Sequence, residues 1–340
     1  MKKIFFTAGA MLVIVAVWNW SLISYGVAQG MGQFKIIFNA RPIEEVLNDP
    51  EFPDSLKQKL AIVEEIRRFA IDSLGLKDTE NYKTVFDQKG QELMWVVTAS
   101  EPYQLKSFTW QFPVVGKVPY KGFFEIEKAQ RELETLKSQG YDVGVRNPGG
   151  WSTLGWFTDP ILSEMLKRNE GDLASLIIHE MVHATVFVKD SIDFNENLAS
   201  FIADTAAFDF IKWKYGAQSK EYLVYLDETQ DHAKYSNHIM RGSQSLDSLY
   251  GLLHGESEEF KQARKEEMIK KIVASMDTLT LKEFKIPTSR FNKNLPNNDY
   301  FLAYLRYGSK QDNFKAELHE KFTGNLRLMV KSYEKRFPFL

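Results

Sequence analysis

The chain of 340 residues contains no cysteine. Disulfide bonds and thiolate metal ligands are therefore excluded, and an exported form of this chain must depend on its apolar core. The formal net charge of −2 gives no reason to expect a nucleic acid partner or a polybasic membrane patch. Low-complexity tracts, internal repeats and long glycine- or serine-rich linkers are also missing. Histidine is scarce, with six residues. Two of them lie four residues apart, a spacing that favours a functional role.

These two histidines are His179 and His183, with Glu180 between them. An α-helix places residues i and i+4 on one face, so both imidazoles can bind one zinc ion with the carboxylate beside them. Neutral imidazole is a good zinc ligand, and a nearby carboxylate can take a proton from an activated water. The surrounding apolar residues predict a buried helix, and Asp172 is its expected N-cap. The alternative is a core helix with two ordinary buried histidines.

A catalytic zinc ion usually has three protein ligands, and Glu196 is the best third candidate. Asp193, three residues earlier, predicts a capping box at the start of a second helix that ends near Gly216. The short segment 189–193 predicts that the two helices are antiparallel neighbours. For Glu196 to reach the zinc, the first helix should end soon after Phe187. In the alternative interpretation Glu196 is only a capping carboxylate.

Several segments occur in a distinctive order: 40–43, 119–124, 140–146, 152–157, 159–160, the zinc motif, 194–196, and 297–300 followed by Tyr307. This order resembles the bacterial putative aminopeptidase family, zinc peptidases that are often lipoproteins. The resemblance spans roughly residues 25–307 and implies an aminopeptidase. One departure is clear, because many relatives carry a lipid-modified cysteine near the start and this chain has none.

An apolar run at residues 4–25, preceded by Lys2 and Lys3, predicts a membrane anchor in place of the lipid. A helix of about 20 residues spans the hydrocarbon core. The lysines favour a cytoplasmic N-terminus, so the protein is expected to be single-pass with its catalytic part on the periplasmic or extracytoplasmic side. Three aromatic residues at the far end suit the interface: Trp18, Trp20 and Tyr25. The alternative is a cleaved signal peptide with residues 26–28 at the cleavage site.

The predicted fold is α+β and mostly helical. A small mixed β-sheet part is followed by a helical half like that of thermolysin-type zinc peptidases. The expected division is 1–28 for the anchor, 29–158 for the α+β part and 159–340 for the helical catalytic part. A helix at 53–74 has five apolar positions at helical spacing: Leu60, Val63, Ile66, Ala70 and Leu74. Strands are predicted at 95–99, 108–112, 142–145 and 151–156, a short helix at 161–167, and helices at 223–253, 256–276, 300–307 and 313–337.

Further site residues follow from these placements. A strand above the metal could pair with the substrate backbone, or could be an ordinary edge strand; its residues are Ser152, Thr153, Leu154 and Gly155. Tyr307, in a segment that matches the family, is the expected donor to the oxyanion. Asn195 is expected to brace the backbone of Glu196, and Asp204 is expected to form a hydrogen bond with one of the zinc-binding histidines.

The predicted activity is hydrolysis of peptide bonds by zinc-activated water, with Glu180 as the general base. Two other classes stay open: a catalytically idle zinc-binding scaffold, and a zinc hydrolase that acts on a non-peptide bond. The aminopeptidase mode rests on the family resemblance, and an endopeptidase is not excluded. The substrate's α-ammonium needs a carboxylate near the zinc, and no spacing argument selects among Asp142, Asp159 and Glu164.

Overall fold

The computed structural model describes residue 18 and residues 20–112, 116–147, 158–189, 191–284, 286, 291, 293–308 and 310–337. Most of these residues are helical, as predicted. The α-helices are α1 (Trp20–Asn39), α2 (Ile43–Leu47), α3 (Asp54–Phe69), α4 (Ile126–Ser138), α5 (Glu170–His183), α6 (Ile192–Tyr215), α7 (Lys220–Leu252), α8 (Glu258–Ser275), α9 (Asn298–Gly308), α10 (Gln311–Phe322) and α11 (Leu326–Arg336). A π-helical turn (Ala70–Leu74) follows α3, and 3-10 turns occur at Ser163–Lys167 and Met276–Thr278.

The strands are short: β1 (Arg41–Pro42), β2 (Thr84–Phe86), β3 (Trp95–Ser100), β4 (Trp110–Phe112), β5 (Gly116–Val118), β6 (Lys121–Phe123), β7 (Asp142–Arg146) and β8 (Ile161–Leu162). In the described chain they form three small sheets, ordered β1-β2-β8, β6-β3-β7 and β4-β5. The first is mixed, because β2 pairs antiparallel with β1 and parallel with β8. The α+β class is confirmed, but the single mixed sheet was wrong. The predicted helix at 161–167 begins instead as strand β8.

The largest apolar core lies where α3 packs with α5 and α6. All five apolar positions of the helix predicted at 53–74 are buried, at 4% exposure or less, three on α3 and two in the π-helical turn that follows it. The prediction succeeds because a 3.6-residue period puts them on one face. The core also includes Val85 of β2 and Ile161 of β8. It therefore draws residues from both sides of the domain boundary expected at 158/159, which stays a prediction.

The N-terminus of α5 lies three residues before the predicted one. Asn169 is the N-cap, and its side chain accepts a hydrogen bond from the backbone N–H of Asp172 at 2.8 Å. The prediction of Asp172 as the cap was wrong because both residues are good caps and the apolar pattern begins only at Leu173. Asp172 instead lies in the first turn, where the helix dipole favours its negative charge.

Helix α6 also begins earlier than predicted. Ser191 is its N-cap, with no capping hydrogen bond from its side chain, and Asp193 lies in the first turn. The capping box at Asp193 was therefore wrong. The predicted end is confirmed, because the helix stops at Tyr215 and Gly216 follows with φ 92°. The region predicted as one helix at 313–337 is two helices, since Thr323 and Gly324 take left-handed conformations between them.

Two carboxylates, the half-buried Asp142 and the buried Asp231, tie the parts of the fold together. Asp142 of β7 accepts from Lys265 Nζ at 2.5 Å and from the backbone N–H of Asn298 at 2.8 Å, which joins a sheet to α8 and α9. Asp231 of α7 accepts from three successive backbone N–H groups at 282–284, at 2.6, 2.7 and 3.1 Å. Because each carboxylate holds a distant segment, both serve the architecture.

Helix α1 packs one face on the protein through Gln33 and Ile36. Its other face exposes large apolar side chains: Trp20, Ile23, Val27, Met31, Phe34 and Phe38. Within the described ranges, no helix is both long enough and apolar enough to cross a bilayer. Most of the anchor predicted at 4–25 lies outside the described residues, as do the strand predicted at 151–156 and the turn before it, apart from Asn147.

Candidate metal centre

Helices α5 and α6 lie side by side in antiparallel register. Three contacts follow the register: Ser175 with Asp204, His179 with Ser200, and His183 with Glu196. Each step of four residues forward on α5 is matched by four residues back on α6, as antiparallel helices require. The expected arrangement of the two helices is therefore present. The first helix ends at His183, four residues before Phe187.

The three predicted ligands come together at one end of this helix pair. The Nε2 atoms of His179 and His183 are 3.0 Å apart. Glu196 places Oε2 at 3.3 Å from the first ring and Oε1 at 3.7 Å from the second. Donors about 2.0–2.1 Å from a tetrahedral zinc ion lie about 3.3–3.4 Å from one another. The donor types and their spacings therefore fit a zinc ion with small adjustments.

Electrostatics at the cluster favour a shared positive charge. Burial would raise the pKa of Glu196, but hydrogen bonds from His179 and His183 outweigh it and hold that pKa well below its ordinary value. Burial opposes a charge on His179, yet the hydrogen bond to Glu196 and the nearby carboxylates raise its pKa. The cluster of these three residues therefore favours a positive charge between the imidazoles and the carboxylate. A divalent metal ion meets the same demand.

Glu180 follows the first ligand and is half-buried. Its Oε2 atom is fully buried and has no hydrogen-bond partner among the described residues. A buried carboxylate oxygen without a partner is costly, so such groups often mark functional sites. Its position beside the ligands is the one expected of a general base.

One contact of the outer nitrogen of His179 was not predicted from the sequence. Ser200 Oγ lies 3.4 Å from His179 Nδ1. A signal was present, because Ser200 follows Glu196 by one helical turn and so shares its face. Asp204, one turn further, accepts from Ser175 Oγ at 2.7 Å and acts on His179 through its charge. The structure gives it no hydrogen bond to a histidine in the described region.

Asn195 and Asn197 fix the segments around Glu196. Asn195 bridges to the backbone of Val188 with two hydrogen bonds, of 2.8 and 2.9 Å, which closes the turn between α5 and α6. The side chain of Asn197 donates to the Arg306 carbonyl and accepts from the Lys310 N–H at 3.0 Å. These two hydrogen bonds hold the backbone before and after residue 307 against α6, the helix that carries Glu196.

The remaining predicted site residues divide in two groups. Tyr307 belongs to α9 by its backbone, but its side chain lies outside the described part of the structure, as do Ser152, Thr153, Leu154 and Gly155. The three carboxylates considered for the substrate's amino terminus are described, and each has a structural environment. Asp142 binds Lys265, Asp159 is fully buried, and Glu164 pairs with Lys167 at 2.7 Å.

Comparison with known proteins places this geometry in a family. No curated protein and no solved structure matches the chain. A family model described as "putative aminopeptidase" matches residues 24–336, which includes all the described secondary structure from Tyr25 to the last helix. This family name indicates a peptidase and agrees with the family suggested by the order of the sequence segments. The chain belongs to the putative aminopeptidase family.

Proposed function

We propose that the protein is a zinc-dependent aminopeptidase whose metal is held by His179, His183 and Glu196. The observation that carries the proposal is the mutual spacing of the three donors, with the half-buried Glu180 next to them and its Oε2 atom buried. Two imidazoles and one carboxylate leave one position of a tetrahedral ion open, which is the arrangement of catalytic zinc. A structural zinc site is normally closed by four protein ligands, and the described residues offer three.

The protein's own groups divide the chemical work. A zinc ion at this site supplies Lewis-acid activation of water and of the substrate carbonyl. Glu180 accepts the proton of the attacking water at its carboxylate and then returns a proton to the leaving amine. Tyr307 donates to the oxyanion that develops on the substrate. The ties from Asn197 to the backbone on both sides of residue 307 support this role.

Recognition of a free amino terminus needs a carboxylate beside the metal. Asp204 meets this requirement better than the three carboxylates considered from the sequence. It is exposed on the helix pair that carries the three ligands, where its Oδ1 accepts a hydrogen bond from Ser175 Oγ at 2.7 Å. Its charge acts on His179. Asp204 therefore binds the α-ammonium group of the substrate while the scissile carbonyl faces the metal.

The protein is anchored in a membrane by its N-terminal apolar run, with the catalytic part on the periplasmic or extracytoplasmic side. Support comes from Lys2 and Lys3 before that run and from the apolar residues that α1 exposes. N-terminal sequencing of the protein from native membranes tests this part. A mature chain that begins near Gln29 refutes the anchor and supports a cleaved signal peptide.

Activity is tested on the zinc-loaded protein with a library of peptides that have free or acetylated amino termini. The matched variant is Glu180→Gln, which keeps the side chain's shape and removes its basicity. Cleavage by wild type and its loss in Glu180→Gln, with zinc retained in both, is the expected result. Zinc without cleavage of any peptide identifies an idle scaffold or an enzyme for another bond, and full activity in Glu180→Gln removes this residue from the mechanism.

A further inference from the structure

Helix α1 carries a row of large apolar side chains that point away from the protein. These residues, called the apolar stripe below, recur every three or four positions and are 41–79% exposed: Trp20, Ile23, Val27, Met31, Phe34 and Phe38. At 3.6 residues per turn, their directions fall within an arc of about 80°. More than half of the large apolar side chains that the described chain exposes lie at residues 18–38. Apolar surface concentrated in this way marks a contact with another protein or with a membrane.

The opposite face of α1 fixes the helix on the protein. Ile36 is fully buried and points roughly 180° away from the middle of the apolar stripe. Gln29 Nε2 donates to the carbonyl of Gly122 in β6 at 2.9 Å. The ring of Tyr25 stacks on that of Phe112 in β4, with centroids 5.7 Å apart. Because these contacts set the rotation of the helix, the stripe cannot turn inwards, and its burial requires a partner.

The composition of α1 favours a lipid bilayer over a second copy of the chain as this partner. Two helices that pair through an apolar seam in water carry charged residues along both sides of it, and these charges set the partner and the register. Lys35 is the only charged residue among the 20 of α1. Two copies could therefore form no ion pair of opposite charge between their α1 helices. An exposed lysine beside the stripe instead suits the anionic headgroups of a bilayer.

The start of α1 lies where the chain leaves the proposed anchor. The apolar run at 4–25 overlaps α1 at residues 20–25. Trp20 therefore lies at the bilayer interface, where amphipathic aromatic residues are favoured. Between Trp20 and Phe38 the helix rises about 27 Å. A helix perpendicular to the bilayer would carry Phe38 that far into water, whereas a helix along the surface keeps the whole stripe in contact with lipid.

We propose that α1 lies along the surface of the bilayer and buries its apolar stripe at the boundary between headgroups and acyl chains. The inference rests on the anchor in the proposed function and adds the orientation of the folded part. Interfacial helices bury their apolar face to a depth of about 5–10 Å. Since the other face of α1 packs on β4 and β6, the body of the protein is held against the membrane and does not stand above it on a stalk.

The absence of cysteine allows one fluorescent label to be placed at a chosen residue. Phe38→Cys and Asn39→Cys are matched variants, because both residues are exposed and their side chains point about 100° apart. Each labelled full-length protein is reconstituted in vesicles of phosphatidylcholine and phosphatidylglycerol, with and without a nitroxide-labelled lipid that quenches fluorescence. We expect the fluorescence of the label at residue 38 to be lost to the quencher and that of the label at residue 39 to be largely retained.

Flotation of the same vesicles separates the orientation of α1 from the anchor. Protein that floats with the vesicles but shows no quenching at residue 38, or equal quenching at both residues, overturns the orientation and leaves the anchor in place. Protein that stays behind in solution overturns both. A disulfide between two unlabelled copies of Phe38→Cys, without quenching at residue 38, assigns the stripe to a second copy and also overturns the proposal. Peptide cleavage is not measured, so the result is independent of the zinc chemistry.

Discussion

Zinc should stabilise the folded chain, because its predicted ligands come from two packed helices. His179 and His183 belong to α5, and Glu196 belongs to α6. An ion bound to all three links the helices, whereas the unfolded chain holds no such preformed site. The three donor distances already lie within about 0.4 Å of those in a tetrahedral zinc site, so little of the binding free energy is spent on rearrangement.

The size of the effect follows from linkage. Free zinc at 100 times its dissociation constant adds about 2.7 kcal/mol to the free energy of unfolding. A large domain gains about 2 °C in thermal midpoint for each kcal/mol. The midpoint of chelator-treated protein should therefore rise by about 5 °C when zinc is added to that level.

The measurement is thermal unfolding followed by circular dichroism during a zinc titration. His183→Ala should lose the rise, since it removes one donor of the cluster. His319→Ala is the matched control because this histidine is exposed on α10, so its variant should respond as wild type does. The argument fails if wild type shows no rise, or if His183→Ala shows the full one, because zinc would then be bound elsewhere.

Three further predictions test other parts of the structure. Asp204→Asn should raise KM about 10-fold or more for peptides with a free amino terminus, because it removes a hydrogen bond to a charged group. The cleavage rate of acetylated peptides should be the same in this variant as in wild type in steady-state assays. Burial opposes the charge of Asp231, yet three backbone N–H groups lower its pKa from 3.8 to about 2. The contribution of this carboxylate to the free energy of unfolding is therefore present above pH 3.8 and lost as pH falls towards 2. In Asp231→Asn the free energy of unfolding, measured by denaturant titration, should change less with pH across that window. Gly32→Ala should destabilise by about 1–3 kcal/mol, because a Cβ there would lie 2.1 Å from Phe124. Gly30→Ala in the same helix meets nothing within 4 Å and should stabilise by up to about 1 kcal/mol in the same denaturant titration.

The part of the site that the sequence could predict is local. The two histidines and Glu196 lie in two consecutive helices, so helical periodicity and a short connection were enough to bring them together. Ser200 was within reach of the same argument, since it follows Glu196 by four residues. The period also placed the buried face of α3 correctly. Binding of zinc by the cluster stays a prediction.

The part that the sequence could not predict depends on tertiary contacts. The backbone of Tyr82 takes a left-handed conformation, and its N–H donates to the carbonyl of Asp159, which is far away along the chain. No local pattern in the sequence signals this contact. The three separate sheets were missed for a similar reason, because strands of two to six residues are defined by their partners more than by their own alternation. The break at Gly324, by contrast, was visible in the sequence as a helix terminator.

The helix pair α5–α6 has a consequence for how the protein loses function. All three proposed donors and Glu180 lie within one hairpin of helices, so this element has low contact order and can form before the rest of the chain has packed. The segment around residue 307 reaches it through long-range contacts with Asn197. With zinc bound as proposed, local unfolding of that segment would leave the three donors on their hairpin. A partly unfolded population would then keep its metal and lose turnover, so metal content would overstate the active fraction of an aged or heated sample.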